Sequence, residues 1–317
     1  MPAPITYCLI GPTACGKSAL AMDLARSGVL GRVEIISLDS AQIYRGMDIG
    51  TAKPSAAEQS EVPHHLIDCR DPEASYSVAQ FLDDMAVATA GIRARGNTPL
   101  LVGGTMLYFK ALREGIDDLP EIPPAVRTAL AQEAAALGWP ELHRRLASVD
   151  PLTARRLAPQ DAQRISRALE VWIHTGKTLS SFHRAGRGRP APSRVESLSV
   201  IALQPEDRGW LHARIATRFA DMLAAGFLEE VEGLMRRPGL QPDLPSMRVV
   251  GYRQAWSHLS GQTSREIFIE QAVASTRQLA KRQITWLRGF HGLMRLDPSA
   301  VSAETLMREA RRTWPGR

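Results

Sequence analysis

Eight residues near the start of the chain carry the clearest chemistry. Gly11, Pro12, Thr13, Ala14, Cys15, Gly16, Lys17 and Ser18 fit the pattern GxxxxGK[ST]. In a loop of this kind, backbone N–H groups and the positive end of the following helix are aimed at phosphate oxygens. Lys17 is placed to contact a diphosphate, and the Ser18 hydroxyl to ligate Mg²⁺. The motif specifies a diphosphate without saying which molecule bears it. Asp39 ends a short β-branched run, and three roles fit it: holding Mg²⁺ through water, acting as a general base, or capping the next helix. Thr105 follows Gly103 and Gly104. It reads as a helix cap or as a polar group facing the site, and the glycines permit close backbone approach.

These residues need elements to position them. Apolar runs over residues 5–10, 33–38, 98–102 and 197–203 predict strands, and the first three lead through a loop into a helical pattern. That repetition predicts a parallel sheet with helices on its faces, whose ligands bind at the carboxyl ends of the strands. The expected fold is α/β, a P-loop NTPase-like parallel sheet core flanked by helices, with an inserted all-helical domain. A first helix runs from about residue 17 to 27, and a longer one, capped by Ser77, over 77–95. From about residue 115 the strand pattern stops. Pro120, Pro123 and Pro124 mark the start of this region and the glycine- and arginine-rich stretch 186–190 its end, with helices near 125–137, 141–147 and 162–174. The predicted division is a catalytic core of residues 1–114 and 195–317 and a helical insertion of residues 115–194. Helices follow over 208–225, 228–235, 249–258 and 265–288. In the last, Ile267, Phe268, Ala272, Leu279, Ile284 and Leu287 lie near one face and predict core packing.

The net charge is +6 over 317 residues, but it is unevenly spread. Residues 1–150 hold 13 Lys+Arg against 18 Asp+Glu, and residues 151–317 hold 26 against 15. A basic half of this kind suits an anionic polymer. No apolar run approaches the ~20 residues of a membrane helix, and residues 1–6 lack the basic flank of a signal peptide. A cytoplasmic protein is expected. Cys8, Cys15 and Cys69 have no metal-ligand spacing. His64 and His65 lack further ligands for a zinc site and read as loop or packing residues. Tyr44, Trp172 and Trp286 have the chemistry to stack on bases, but core packing is expected of both tryptophans.

At this point the chain resembles the tRNA dimethylallyltransferases, also called tRNA isopentenyltransferases, over nearly its whole length. The resemblance rests on GPTACGKS at 11–18, DSAQIYRGMDIGTAKP at 39–54, LVGGTMLYFKAL at 101–112, QDAQRISRALEV at 160–171, RVVGYRQ at 248–254 and RQLAKRQITWLR at 277–288. It implies transfer of a dimethylallyl group from dimethylallyl diphosphate to N6 of the adenosine just 3′ of the tRNA anticodon, with the P-loop gripping the donor's diphosphate. On the matching positions, Asp39 is the general base, Thr105 lies at the reaction centre and Arg218 binds the donor diphosphate. The tRNA contacts fall at Asp39, Ser40, Ala41 and Gln42, at Thr105, and at Arg127. They continue at Gln160, Asp161, Ala162, Gln163 and Arg164, and at Arg248, Val249, Val250, Gly251, Tyr252 and Arg253. The inserted domain grips the anticodon stem-loop. The implied partners are tRNA and dimethylallyl diphosphate, the cofactor is Mg²⁺, and the enzyme is expected to be a monomer. Two rival readings share the loop: a P-loop kinase of a nucleoside or small metabolite, and a nucleotide-dependent RNA-binding module without transferase chemistry.

Overall fold

The computed structural model describes residues 5–117, 119–185 and 197–314. In chain order the elements are β1 (Ile5–Ile10), α1 (Lys17–Arg26), β2 (Val33–Leu38), α2 (Ala56–Glu61), β3 (His64–His65), α3 (Val78–Ala94), β4 (Thr98–Gly103) and α4 (Met106–Glu114). There follow α5 (Pro124–Leu137), α6 (Trp139–Val149), α7 (Pro151–Ala154), α8 (Ala162–Thr175) and α9 (Leu179–Ala185). The chain then returns to β5 (Ser197–Leu203), α10 (Arg208–Ala224), α11 (Phe227–Met235), α12 (Tyr252–Leu259), α13 (Arg265–Arg288), β6 (Met294–Leu296) and α14 (Ala303–Thr313).

The strands form one sheet in the order β3-β2-β4-β1-β5-β6, and every pairing is parallel. β2 is buried at all six positions and β4 at five of six, as a sheet covered on both faces requires. Two strands were not expected. β3 and β6 are two and three residues long, too short to show a period. β3 is secured by side chains: His65 Nε2 lies 2.6 Å from Glu34 Oε2. Arg95 and Asn97 hold the same buried carboxylate at 2.7 and 2.6 Å. Hydrogen bonds from Arg95 above all, with those of Asn97 and His65, draw the Glu34 pKa down to about 2 against the cost of burial.

The chain divides into two compact units, one of Met1–Arg113 with Pro192–Arg317 and the other of Glu114–Ala191. The second unit is helical among its described residues and has its own core, in which Leu130, Leu142, Leu146, Ile165 and Leu169 are buried. The stretch 186–190, read as the end of the insertion, lies outside the described residues.

Two packing expectations on α13 are corrected. Phe268, Ala272 and Leu287 are buried, but Ile267 is 46% and Trp286 40% exposed. A single apolar face of 24 residues cannot stay against one core, and both side chains have rotated off it. The Lys110 ammonium sits 6.0 Å above the Trp286 ring.

Candidate active site

The site lies within the first unit, at the carboxyl ends of β1, β2 and β4, and two glycines decide how closely those ends approach. A Cβ on Gly103 would fall 2.0 Å from the Leu38 carbonyl oxygen, and one on Gly104 3.0 Å from that of Gly11. Only glycine fits where β4 passes between the end of β2 and the P-loop. Asp39, Thr105 and the loop are thereby drawn together. Thr105 N donates to Leu38 O at 3.1 Å. The Thr105 hydroxyl accepts the Ser40 N–H at 3.0 Å. Its side chain therefore faces the 39–42 loop instead of capping α4.

The P-loop leaves β1 through Gly11, which is pressed against Leu203. Ala14 takes a left-handed φ of 63° and Gly16 one of 95°. For Ala14 this is strain of roughly 1 kcal/mol, held by the surroundings. Lys17 folds back so that Nζ donates to Pro12 O at 2.7 Å. Cys15 is buried, and burial raises its thiol pKa. Ser18 is exposed on the first turn of α1, and its hydroxyl makes no hydrogen bond among the described residues. No group of three or more His, Cys, Asp or Glu able to hold a metal occurs among the described residues. One open hydroxyl beside a phosphate loop suits Mg²⁺, which keeps most of its waters and takes its remaining ligands from substrate phosphates.

Two loop-holding residues escaped the sequence reading. Gln283 of α13 accepts the Thr13 N–H at 2.9 Å and donates to Gly104 O at 2.8 Å, bridging the P-loop and the loop before Thr105. Arg214 of α10 donates from Nε to Ala14 O at 2.9 Å. Its one signal was its place four residues before Arg218, on the same helix face.

Asp39 accepts the Ala41 N–H on Oδ1 at 2.8 Å, and its other oxygen makes no hydrogen bond among the described residues. Arg218 likewise makes none there. Burial lowers its pKa from the ordinary guanidinium value, and the nearby Asp39 charge opposes that shift. Both line a cavity of ≈ 130 Å³. Thr13, Ala14, Ala41 and Gln283 border it with them, while Ile215, Phe219, Met222, Phe227, Val249, Val250 and Leu279 supply an apolar wall. Gly50, Thr51 and Thr276 complete the lining. The loop carrying Gly50 and Thr51 is fastened by Glu230, whose carboxylate accepts the N–H groups of Asp48, Ile49 and Gly50 and the Tyr252 hydroxyl.

The remaining predicted residues divide by environment. Gln42 is engaged at both ends, accepting from Ser37 and donating to Thr51 O and Ala52 O. Arg248 and Arg253 are exposed, and Val249 and Val250 face the cavity. Tyr252 is corrected to a core residue: it has no exposed surface, and its hydroxyl donates to Glu230 at 2.5 Å. Gly251 is buried beside it, with a φ of 94°. In the second unit, Gln160, Gln163 and Arg164 are exposed at the start of α8. Asp161 caps that helix through the Arg164 N–H and pairs with the Arg164 side chain at 2.6 Å. Ala162 opens its first turn, half-buried. Arg127 is half exposed, with Nε 3.8 Å from the buried Glu170 carboxylate.

The family described as IPP transferase matches residues 42–290, and isopentenyl transferase matches residues 4–78. The chain is 60% identical over 286 residues to a tRNA dimethylallyltransferase of Methylibium petroleiphilum, covering 90% of this chain and 86% of the relative. It is 54% identical over 313 residues to one of an Acidovorax species, covering 97% and 96%. Among solved structures, it matches a tRNA isopentenylpyrophosphate transferase of Bacillus halodurans with a TM-score of 0.68 at 33% identity, over 98% of this chain and 95% of that one. A eukaryotic dimethylallyltransferase acting on tRNA shares the fold, with a TM-score of 0.76 at 24% identity, over 98% and 78%.

Proposed function

The chain belongs to the IPP transferase family, and from that premise we propose that it transfers a dimethylallyl group from dimethylallyl diphosphate to N6 of the adenosine just 3′ of the tRNA anticodon, releasing diphosphate. The observation that carries this reading is the polarity of one cavity. P-loop residues, Arg218 and a carboxylate with a free oxygen line it together with seven apolar side chains. A prenyl diphosphate has the same division of charge and hydrocarbon. A kinase shares the loop and the sheet, but the relatives that match along nine-tenths of this chain are named as dimethylallyl transferases acting on tRNA.

Lys17, freed from Pro12 O, the loop N–H groups and Arg218 neutralise the diphosphate as negative charge grows on the leaving oxygen. The Ser18 hydroxyl would hold Mg²⁺, which would supply further neutralisation of the leaving diphosphate. The donor's C1–O bond breaks with its electron pair on diphosphate, and the adenine N6 lone pair forms the N–C1 bond. The N6 proton passes to the oxygen of Asp39 that Ala41 does not hold. Thr105, fixed against Ser40, orients the amine. The adenine leaves the loop stack to reach this point. Exposed Arg248 and Arg253 in the first unit, and Arg127 and Arg164 in the second, each offer a cation to RNA phosphates.

The test is transfer of labelled dimethylallyl diphosphate to tRNA by the wild type and by Asp39→Ala. Label that disappears in the variant while tRNA binding persists supports both reaction and base. No label from the wild type, with ATP turnover on a small acceptor, overturns the reading in favour of the kinase.

A further inference from the structure

Helix α10 presents one face to the cavity, and its residues change character along the axis. Arg214 holds the P-loop at Ala14 O, Arg218 follows at i+4 beside Asp39, and Met222 follows at i+8 among apolar residues. Each step of four residues advances ~6 Å. From Arg214 at the P-loop the helix thus passes through Arg218 to Met222, with Ile215 and Phe219 lining the cavity between them.

Two side chains of the apolar lining are fixed by packed rings. Phe219 is almost fully and Phe227 fully buried, and the two rings meet edge-on at 6.1 Å. Phe268 packs on the first at 5.7 Å, and Tyr252 on the second at 5.1 Å. Gly50 lies tight against Phe227, where a Cβ would fall 2.3 Å from its ring. Met222 differs. It is partly buried, as Val249, Val250 and Leu279 of the lining also are, but it alone among them is unbranched and it alone lies one helical step beyond Arg218. Shortening it enlarges the cavity at a side chain that keeps some exposed surface, whereas shortening the phenylalanines cuts into packed rings.

Volume sets the scale. An apolar cavity of ~150 Å³ accommodates a six-carbon benzene, and the ≈ 130 Å³ found here is shared between the apolar lining and Thr13, Ala14, Asp39 and Arg218, so its apolar part is too small for a ten-carbon group. A second isoprene unit extends the donor by roughly 5 Å at ~1.5 Å per bond, close to the ~6 Å that separates Arg218 from Met222 along the helix.

We propose that Met222 is the residue that limits the transferred group to five carbons, acting as a stop at the far end of the donor's tail. The proposal rests on the donor reading above.

The experiment measures kcat/KM for dimethylallyl diphosphate and for geranyl diphosphate, with tRNA as acceptor, in the wild type and in Met222→Ala. The product's mass identifies the group attached. A rise of ~10-fold or more in the geranyl-to-dimethylallyl ratio is expected, on the scale that one or two methylenes carry in an apolar pocket. Met222→Val gives a smaller rise and serves where the alanine variant fails to fold. Met222→Phe raises KM for dimethylallyl diphosphate while inhibition by inorganic diphosphate stays as in the wild type. An unchanged ratio in a variant that still transfers the five-carbon group overturns the stop, as does an unchanged KM in Met222→Phe. No transfer of the dimethylallyl group by the wild type overturns the donor reading beneath it.

Discussion

Replacing Glu230 tests whether the cavity wall is held by the carboxylate that fastens the loop carrying Gly50 and Thr51. Oε2 accepts the N–H groups of Asp48 and Ile49 at 2.9 and 2.7 Å, and Oε1 those of Gly50 at 3.3 Å and the Tyr252 hydroxyl at 2.5 Å. Asp48 is exposed, so its N–H finds water when the carboxylate is removed, and the 3.3 Å contact is weak. Two donors are left stranded in Glu230→Ala, the Ile49 N–H and the Tyr252 hydroxyl, the latter in a side chain with no exposed surface. At about 1–3 kcal/mol for each orphaned donor, and with water reaching the half-buried Glu230 position, the loss is on the order of 3 kcal/mol. Glu230→Gln behaves differently. Its amide oxygen serves Asp48 and Ile49, and its NH₂ meets a tyrosine hydroxyl that turns to accept, so the cost is nearer 1 kcal/mol. Amide hydrogen exchange at Ile49 and Gly50 reads the opening directly. The alanine variant should exchange there roughly a hundredfold faster, and the glutamine variant less than tenfold faster. KM for the donor should rise more than kcat falls, because the wall and not the base has moved. Equal acceleration in both variants, or none in the alanine variant, refutes the assignment of the latch to this carboxylate.

Two further outcomes follow from exposed and buried charge. Glu34 has its pKa depressed to about 2 in the folded chain, chiefly by Arg95, against an ordinary value of 4.5. Its stabilisation is therefore complete above about pH 5 and is lost as pH falls through 2. Urea unfolding of wild type and Glu34→Gln should differ by on the order of 3 kcal/mol at neutral pH and converge toward pH 2, and a constant difference would contradict the linkage. Arg248→Ala removes an exposed cation with no described ion pair. It should weaken tRNA binding and reduce the salt slope by about one unit, and an unchanged slope counts against a phosphate contact there.

The parts of this site legible in the sequence are those where backbone conformation restricts residue type. A loop that turns left-handed at Ala14 and Gly16 and then opens a helix admits few sequences, and the phosphate motif stood out for that reason. Gly103 and Gly104 were legible as a close approach, though the partners, Leu38 and Gly11, were not. Six-residue strands and long helices carry enough period to be placed within a few residues, while β3 and β6 do not. Gln283 and Arg214 could not be found this way. Each holds the P-loop from roughly two hundred or more residues along the chain, and a glutamine or arginine on a helix carries no mark of such a partner. Tyr252 shows the opposite failure: resemblance placed it in an RNA-contacting run, and only packing reveals that it faces Glu230.

The hydrocarbon end of the cavity is illegible for a deeper reason. Phosphate recognition uses glycines, a lysine and left-handed turns that a core has little use for, so such residues announce themselves. Recognition of a prenyl tail uses phenylalanine, methionine, valine and leucine, the same alphabet that builds the core around it. Phe227 belongs at once to the buried cluster and to the cavity wall, and no pattern in one sequence separates those two uses. Chemistry at the charged end is thus read from residue types, and selectivity at the apolar end from volume, rigidity and what lies behind each side chain. That division explains why α10 yields Arg218 to motif comparison, and yields Met222 only once the helix has been placed against the loop.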